Sequence, residues 1–178
     1  MKLHQMHAGY SPVEDRLRLK ISTVEGQEFV FWLARRVIVA MFGLSEKALV
    51  ARASTKSAAA ANPAGAAKAI VEFEREAAVA TGDFTTPYVK EEHAKPLGEK
   101  PVLAKRVDIA PMPERPDVFR ISILLINDMT VAFSAPASFI HRLRHLIGQA
   151  LRGANWGLDL ETEGTSPEAS AAERPRPN

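Results

Sequence analysis

The chain has 178 residues and a mass of 19.5 kDa, enough for one ordinary domain or two small ones and too little for a barrel enzyme of usual size. Hydrophobic residues make up 46% and charged residues 25%, a balance that excludes disorder of the whole chain. With 23 Lys and Arg against 21 Asp and Glu the net charge of +2 points to no partner by itself, and the absence of cysteine excludes disulfides, thiol nucleophiles and Cys-containing zinc sites.

From the N-terminus, Leu3 to Tyr10 predicts a first strand, ended by the Ser11-Pro12 turn. Leu17, Leu19 and Ile21 alternate with Arg16, Arg18 and Lys20, the period-two signature of a half-buried strand. Glu25-Gly26 supplies a turn, and Phe29, Phe31 and Leu33 alternate again as its hairpin partner. The period then lengthens: Val37, Ile38, Met41, Leu44, Ala48 and Leu49 share one face of a helix. Asn62-Pro63 reads as an N-cap and first-turn proline, opening an amphipathic helix over about 63–81 with Ala66, Ile70, Phe73 and Ala77 on its apolar face. Pro87, Pro96 and Gly98 mark the following stretch as a crossing loop. Val102 to Ile109 predicts a strand, the Pro111, Pro113 and Pro116 cluster a turn, and Phe119 to Ile126 the next strand. Asn127-Asp128 signals a hairpin into Thr130–Ser134, and Pro136 opens a last helix with Phe139, Ile140, Leu143, Leu146, Ile147 and Ala150 on one face. Trp156 and Leu158 are expected to fold back on that helix. From Glu161 onward no apolar face exists to offset ordering entropy, so a disordered tail is expected.

Sliding the sequence along itself aligns residues 15–49 with 117–151 without a gap. Asp15 meets Asp117, Arg18 meets Arg120, Ile21 meets Ile123, Phe31 meets Phe133, Ile38 meets Ile140 and Leu49 meets Leu151. The chain therefore reads as an α+β protein built from an internally duplicated β-β-β-α unit, forming an antiparallel sheet with packed helices plus one inserted helix. The expected divisions are 1–53 for the first repeat, 54–100 for the Ala-rich linker, 101–160 for the second repeat and 161–178 for the tail.

Charge is unevenly distributed along the chain. Residues 1–54 and 104–157 are each +3, the region between them −1 and the stretch from Leu158 onward −3. If Leu17, Leu19 and Ile21 face the core, Arg16, Arg18 and Lys20 line the opposite face of the sheet, with Trp32 beside Arg18 or Lys20 according to register. Cations around an aromatic ring on an open sheet suit single-stranded nucleic acid, because phosphates pair with the cations and a base stacks on the ring. The competing reading packs Trp32 under the inserted helix. In the second repeat only Arg120 is charged among the outward positions Val118, Arg120, Ser122, Leu124 and Ile126, so that strand needs cover from the inserted helix or from a second subunit.

His141 and His145 stand four apart on the last helix, a spacing at which two imidazoles can share a metal, yet Arg142 and Arg144 between and beside them repel a cation. They are the weak metal candidates, expected on the polar flank of the apolar stripe. The Arg35-Arg36 pair starts the first helix, where cations oppose the helix dipole and suit an external anion. No nucleophile-elbow, phosphate-loop or dinucleotide-binding motif occurs.

The stretch LRLKISTVEGQEFVFWLARR, residues 17–36, resembles a phrase found in short hypothetical proteins of proteobacteria, and that resemblance transfers no catalytic or binding residue. In outline the duplicated meander-plus-helix unit is similar to the PUR-repeat and Whirly-type single-strand binders, whose units use four strands where three are read here. The sequence predicts a non-catalytic cytoplasmic protein-binding or assembly module, working with another protein or as a homodimer, without cofactor or membrane contact. The alternative is a single-stranded DNA- or RNA-binding protein using Arg16, Arg18, Lys20, Trp32, Arg35 and Arg36.

Overall fold

The computed structural model describes residues 2–88 and 93–157. Strands β1 (Leu3–Ser11), β2 (Arg16–Thr23) and β3 (Glu28–Leu33) form a meander, followed by helices α1 (Arg35–Lys56) and α2 (Pro63–Ala80). The order then repeats as β4 (Val102–Met112), β5 (Arg115–Leu125), β6 (Thr130–Pro136) and α3 (Ala137–Leu151). Two β-β-β-α units and one inserted helix make the α+β fold read from the sequence.

All six strands join one sheet in chain order. Four pairs are antiparallel, whereas β3 and β4 run parallel, with Phe31 opposite Val102 and Trp32 opposite Leu103. The expected antiparallel sheet is thus mixed at its central seam. The cause is the long connection through α1 and α2, which returns the chain to the end of the sheet where β3 began. The expected turn at Pro111, Pro113 and Pro116 also shrinks. Pro111 lies in β4 opposite Phe119, Pro116 lies in β5, and only Pro113 and Glu114 separate the strands. Only Val102 and Leu103 of β4 pair with β3, so the far end of β4 has an unpaired side on which a proline costs no ladder bond.

One face of the sheet is the core. Leu17, Leu19, Ile21, Phe31, Phe119, Ile121 and Leu125 are at most 2% exposed. The helices exchange partners across the duplication: α1, which leaves β3, packs on β4, and α3, which leaves β6, packs on β1. Neither unit can bury its own helix alone. Asn62 caps α2, its side chain accepting the Gly65 N–H at 3.1 Å, with Pro63 in the first turn. This helix packs on α1 and α3. It covers neither Trp32 nor the outward side of β5, which leaves out the reading that packs Trp32 beneath it, and its Phe73 stays 71% exposed. Its presence explains why α1 is buried on a wider front than its apolar stripe, including Phe42, Ser45 and Arg52.

The crossing loop runs along the β2–β3 turn, where Ala94 accepts the Glu28 N–H at 2.8 Å and donates to the Gly26 carbonyl at 2.9 Å. Trp156 is buried, but its ring meets the first unit: it stands edge-on to Tyr10 and donates its indole N–H to Asp15 at 2.6 Å. Leu158 and the expected tail over 161–178 lie outside the described residues. Among those described, no helix is long and apolar enough to cross a membrane.

Candidate functional site

With α1 and α3 on the core face, the opposite face of the sheet carries the basic stripe. Register settles the position of Trp32: it lies directly opposite Arg18 on β2 and opposite Leu103 on β4. The Ile126 N–H donates to the Leu103 carbonyl at 3.1 Å, so Arg18, Trp32 and Leu103 form one lateral row across β2, β3 and β4 that Ile126, the residue after β5, extends. Arg18 is exposed and Trp32 half-buried. Beside the row lies an open groove of about 480 Å³, lined by Arg16, Trp32, Lys100, Leu103 and Ile126. It presents an aromatic face, an apolar floor, the cations Arg16 and Lys100, and one carboxylate, Glu99, which is paired with Lys95 at 2.5 Å.

The duplication places Arg120 opposite Ser134 in the same register that places Arg18 opposite Trp32. Only the first unit therefore has an aromatic ring beside its arginine. On the second unit two exposed cations are paired, Arg106 with Asp108 at 2.9 Å and Lys105 with Asp128 at 3.2 Å, while Arg115 and Arg120 stay exposed.

The stripe is closed at its Lys20 end. Tyr88 from the crossing loop lies 5.3 Å from the Lys20 ammonium, meets the His7 ring edge-on at 6.0 Å and donates its hydroxyl to Glu28 at 2.7 Å. Burial, then the Glu28 carboxylate, push the Tyr88 phenol up to about 12. Burial, then the nearby Lys20 and Arg18 charges, lower the His7 imidazole below its ordinary value. Arg16 keeps a loose exposed pair with Glu14 at 3.5 Å. Arg35 and Arg36 are exposed at the start of α1, which has no side-chain cap and no acidic residue in its first turn. Arg35 lies close enough to help the Tyr10 and Trp156 hydrogen bonds hold the Asp15 carboxyl below its ordinary value.

His141 and His145 do not form a pair. His141 is 2% exposed, at the junction of the three helices, while His145 is half-buried against Phe84 and bonded to Gln149 at 2.9 Å. The polar flank expected for His141 is covered because α2 and the end of α1 pack there. Burial, then the Arg144 and Arg52 charges, push its imidazole down to about 4. That cationic surround repels a metal ion as well as a proton, and the described residues contain no cluster of three or more His, Asp or Glu able to hold one. Nearby Arg52, with a side chain only 5% exposed, pairs with Glu74 of α2 and with Asp117 of β5 at 2.8 Å.

Sequence reasoning identified Arg16, Arg18, Lys20 and Trp32; the structure places Arg16 and Trp32 on the wall of the open groove and Arg18 opposite Trp32 on the neighbouring strand. It missed Tyr88, Lys100 and Leu103, because each reaches the face through a long-range connection with no local periodicity to signal it. Compared with family models, curated proteins and solved structures, the chain matches none.

Proposed function

We propose that this is a non-catalytic binding protein whose ligand surface is the outer face of the sheet, and that the ligand is a single-stranded nucleic acid. The observation that carries the reading is the cross-strand pair of Arg18 and Trp32 on a face that none of the described helices covers. A ring that is half in contact and half open offers a stacking platform worth about 1–3 kcal/mol per base, and adjacent cations follow the phosphates. Lys100 and Arg16 at the rim of the groove extend the same charge. The groove supplies no base-edge readout of obvious specificity, so the binding is sequence-tolerant. A fluorescent oligonucleotide titrated at two salt concentrations tests it. Binding is expected at low salt, with a steep loss at high salt and a further loss on Arg18→Ala. Absence of binding at low salt overturns the reading.

A specific observation also favours self-association. Ile126 is 57% exposed at the end of the same row, beside half-buried Leu103 and Leu124, and no element of the described chain covers it. A second copy seated on this apolar end, as an assembly module or homodimer, leaves the basic end open. Sedimentation of the wild type and of Ile126→Asp separates the two. A concentration-dependent dimer lost in the variant supports assembly, and a strict monomer in both removes it.

A further inference from the structure

The two repeats treat the outer side of their helices differently. Residues of α3 correspond to those of α1 at an offset of 102, and the strand pairings and helix starts keep that register. On α3, positions 141, 142 and 145 receive α2 and the residues that follow it. His141 is buried there, Arg142 donates to the Ala78 carbonyl and to the Thr81 hydroxyl, each at 3.1 Å, and His145 packs on Phe84 with ring centroids 4.7 Å apart.

The equivalent positions of α1 are Val39, Ala40 and Gly43, and all three are exposed. Val39, the counterpart of His141, is 47% exposed. A single inserted helix serves two related faces, so among the described residues the face on α1 has no cover. Its charge also differs from that of its twin: Arg36 and Lys47 stand at its ends where α3 has Ser138 and Gln149, and neither cation is paired with a described residue. A helix seated here has to be apolar along the contact and acidic on its flank.

The same molecule displays such a helix. The outward side of α2 carries Phe73, 71% exposed, flanked by exposed Ala69, Ala77 and Ala80, with Glu76 beside them. Three- and four-residue spacings put these side chains on one face. Glu76 is exposed and has no partner among the described residues. Phe73 does not reach the α1 face of its own chain, because α2 is held on α1 and α3 by its opposite side, where Ala67, Val71 and Ala78 are buried.

We propose that the outward face of α2 in one copy docks on the Arg36–Lys47 face of α1 in a second copy, with Phe73 over Val39, Ala40 and Gly43 and Glu76 meeting one of the two cations. The contact joins two different surfaces head to tail. Through it α1 receives from a neighbour the kind of helix that α3 receives from its own chain. It uses the helical side of the molecule, so the Arg18–Trp32 face stays open and Ile126 takes no part. Neither of the readings above is needed for it.

Sedimentation of the full chain over a range of concentrations tests this. The wild type is expected to associate as concentration rises. Val39→Asp and Phe73→Asp should each weaken association roughly tenfold or more, since each spoils one of the two faces. Both side chains are exposed, and an acid near the start of α1 suits the helix dipole, so the variants keep the fold. An equimolar mixture of the two is expected to recover a complex of two chains, because each variant keeps the face that the other lacks. Ile126→Asp should associate like the wild type. A wild type that is monomeric at every concentration, an association that survives Val39→Asp, a mixture that stays monomeric, or a loss caused by Ile126→Asp would each overturn the proposal.

Discussion

Asp15 and Asp117, identical residues at equivalent positions of the repeat, each tie their own unit to the chain at the end of the other unit's helix. Asp15 accepts from the Trp156 indole at 2.6 Å, just beyond α3, and Asp117 accepts from Arg52 at 2.8 Å and pairs with Lys56 at 2.8 Å, at the end of α1. Because each helix packs on the other unit's first strand, the two aspartates fasten an exchange of helices. The donors have diverged to an indole in one case and two cations in the other, while the acceptor has stayed the same.

That arrangement predicts coupling in a particular pattern. Asp117→Asn is expected to lower stability on the order of 1 kcal/mol, a modest figure because the carboxylate is 62% exposed although Arg52 is not. In double-mutant cycles followed by thermal unfolding, Asp15→Asn should couple to Trp156→Phe and be additive with Lys56→Met. Full additivity of Asp15 with Trp156 would contradict the assigned link.

Protonation of His141 is opposed in the fold. Its imidazole sits near 4 when folded against an ordinary 6.5, held down by burial and by Arg144 of α3 and Arg52 of α1, with Glu46 of α1 opposing and Arg75 of α2 adding to the repulsion. Above pH 6.5 both folded and unfolded chains carry it neutral and stability is complete. As pH falls from 6.5 towards 4, only the unfolded chain takes up the proton, and stability drops on the order of 2–3 kcal/mol. Its Nε2 is also buried without a partner. His141→Leu should therefore raise the urea midpoint at pH 5 and flatten that part of the pH dependence. A variant with unchanged acid sensitivity would exclude His141 as the cause.

Binding of a single strand should be visible in tryptophan fluorescence. Trp156 is buried and anchored, so quenching on titration with an unlabelled oligonucleotide should come from Trp32. Trp32→Phe keeps a stacking ring and is expected to bind within a few-fold of wild type with the signal abolished. Trp32→Ala should lose roughly tenfold or more in affinity. Equal affinity for the Phe and Ala variants would remove the stacking role.

Tyr88 occupies Lys20 and limits how many phosphates the stripe can neutralise. Tyr88→Ala frees that ammonium, so the slope of log affinity against log salt should steepen by about one counterion. The same variant loses the hydroxyl bond to Glu28 and should be slightly less stable. A slope that stays the same would show that Lys20 does not reach the ligand.

Local pattern carried most of the elements. The alternation of Leu17, Leu19 and Ile21 with cations marked both β2 and its basic side, and the change of period after Leu33 marked α1. Asn62-Pro63 marked the start of α2 within a residue, because capping is a matter of neighbouring groups. The proline cluster was read too broadly because the harm a proline does depends on whether another strand lies alongside, which is not a local property.

By itself, then, the sequence determined the repeated β-β-β-α order, the inward and outward sides of each strand, and the basic character of one outward face. Each of these follows from backbone periodicity and residue type within a short window. Only the tertiary structure decided that Trp32 faces Arg18, that the helices exchange strands, that Tyr88 closes one end of the stripe, that Trp156 meets Asp15 and that His141 is buried among arginines. Those outcomes depend on register and on contacts between residues far apart in the chain, where hydrophobic burial selects the pairing and no periodicity announces it.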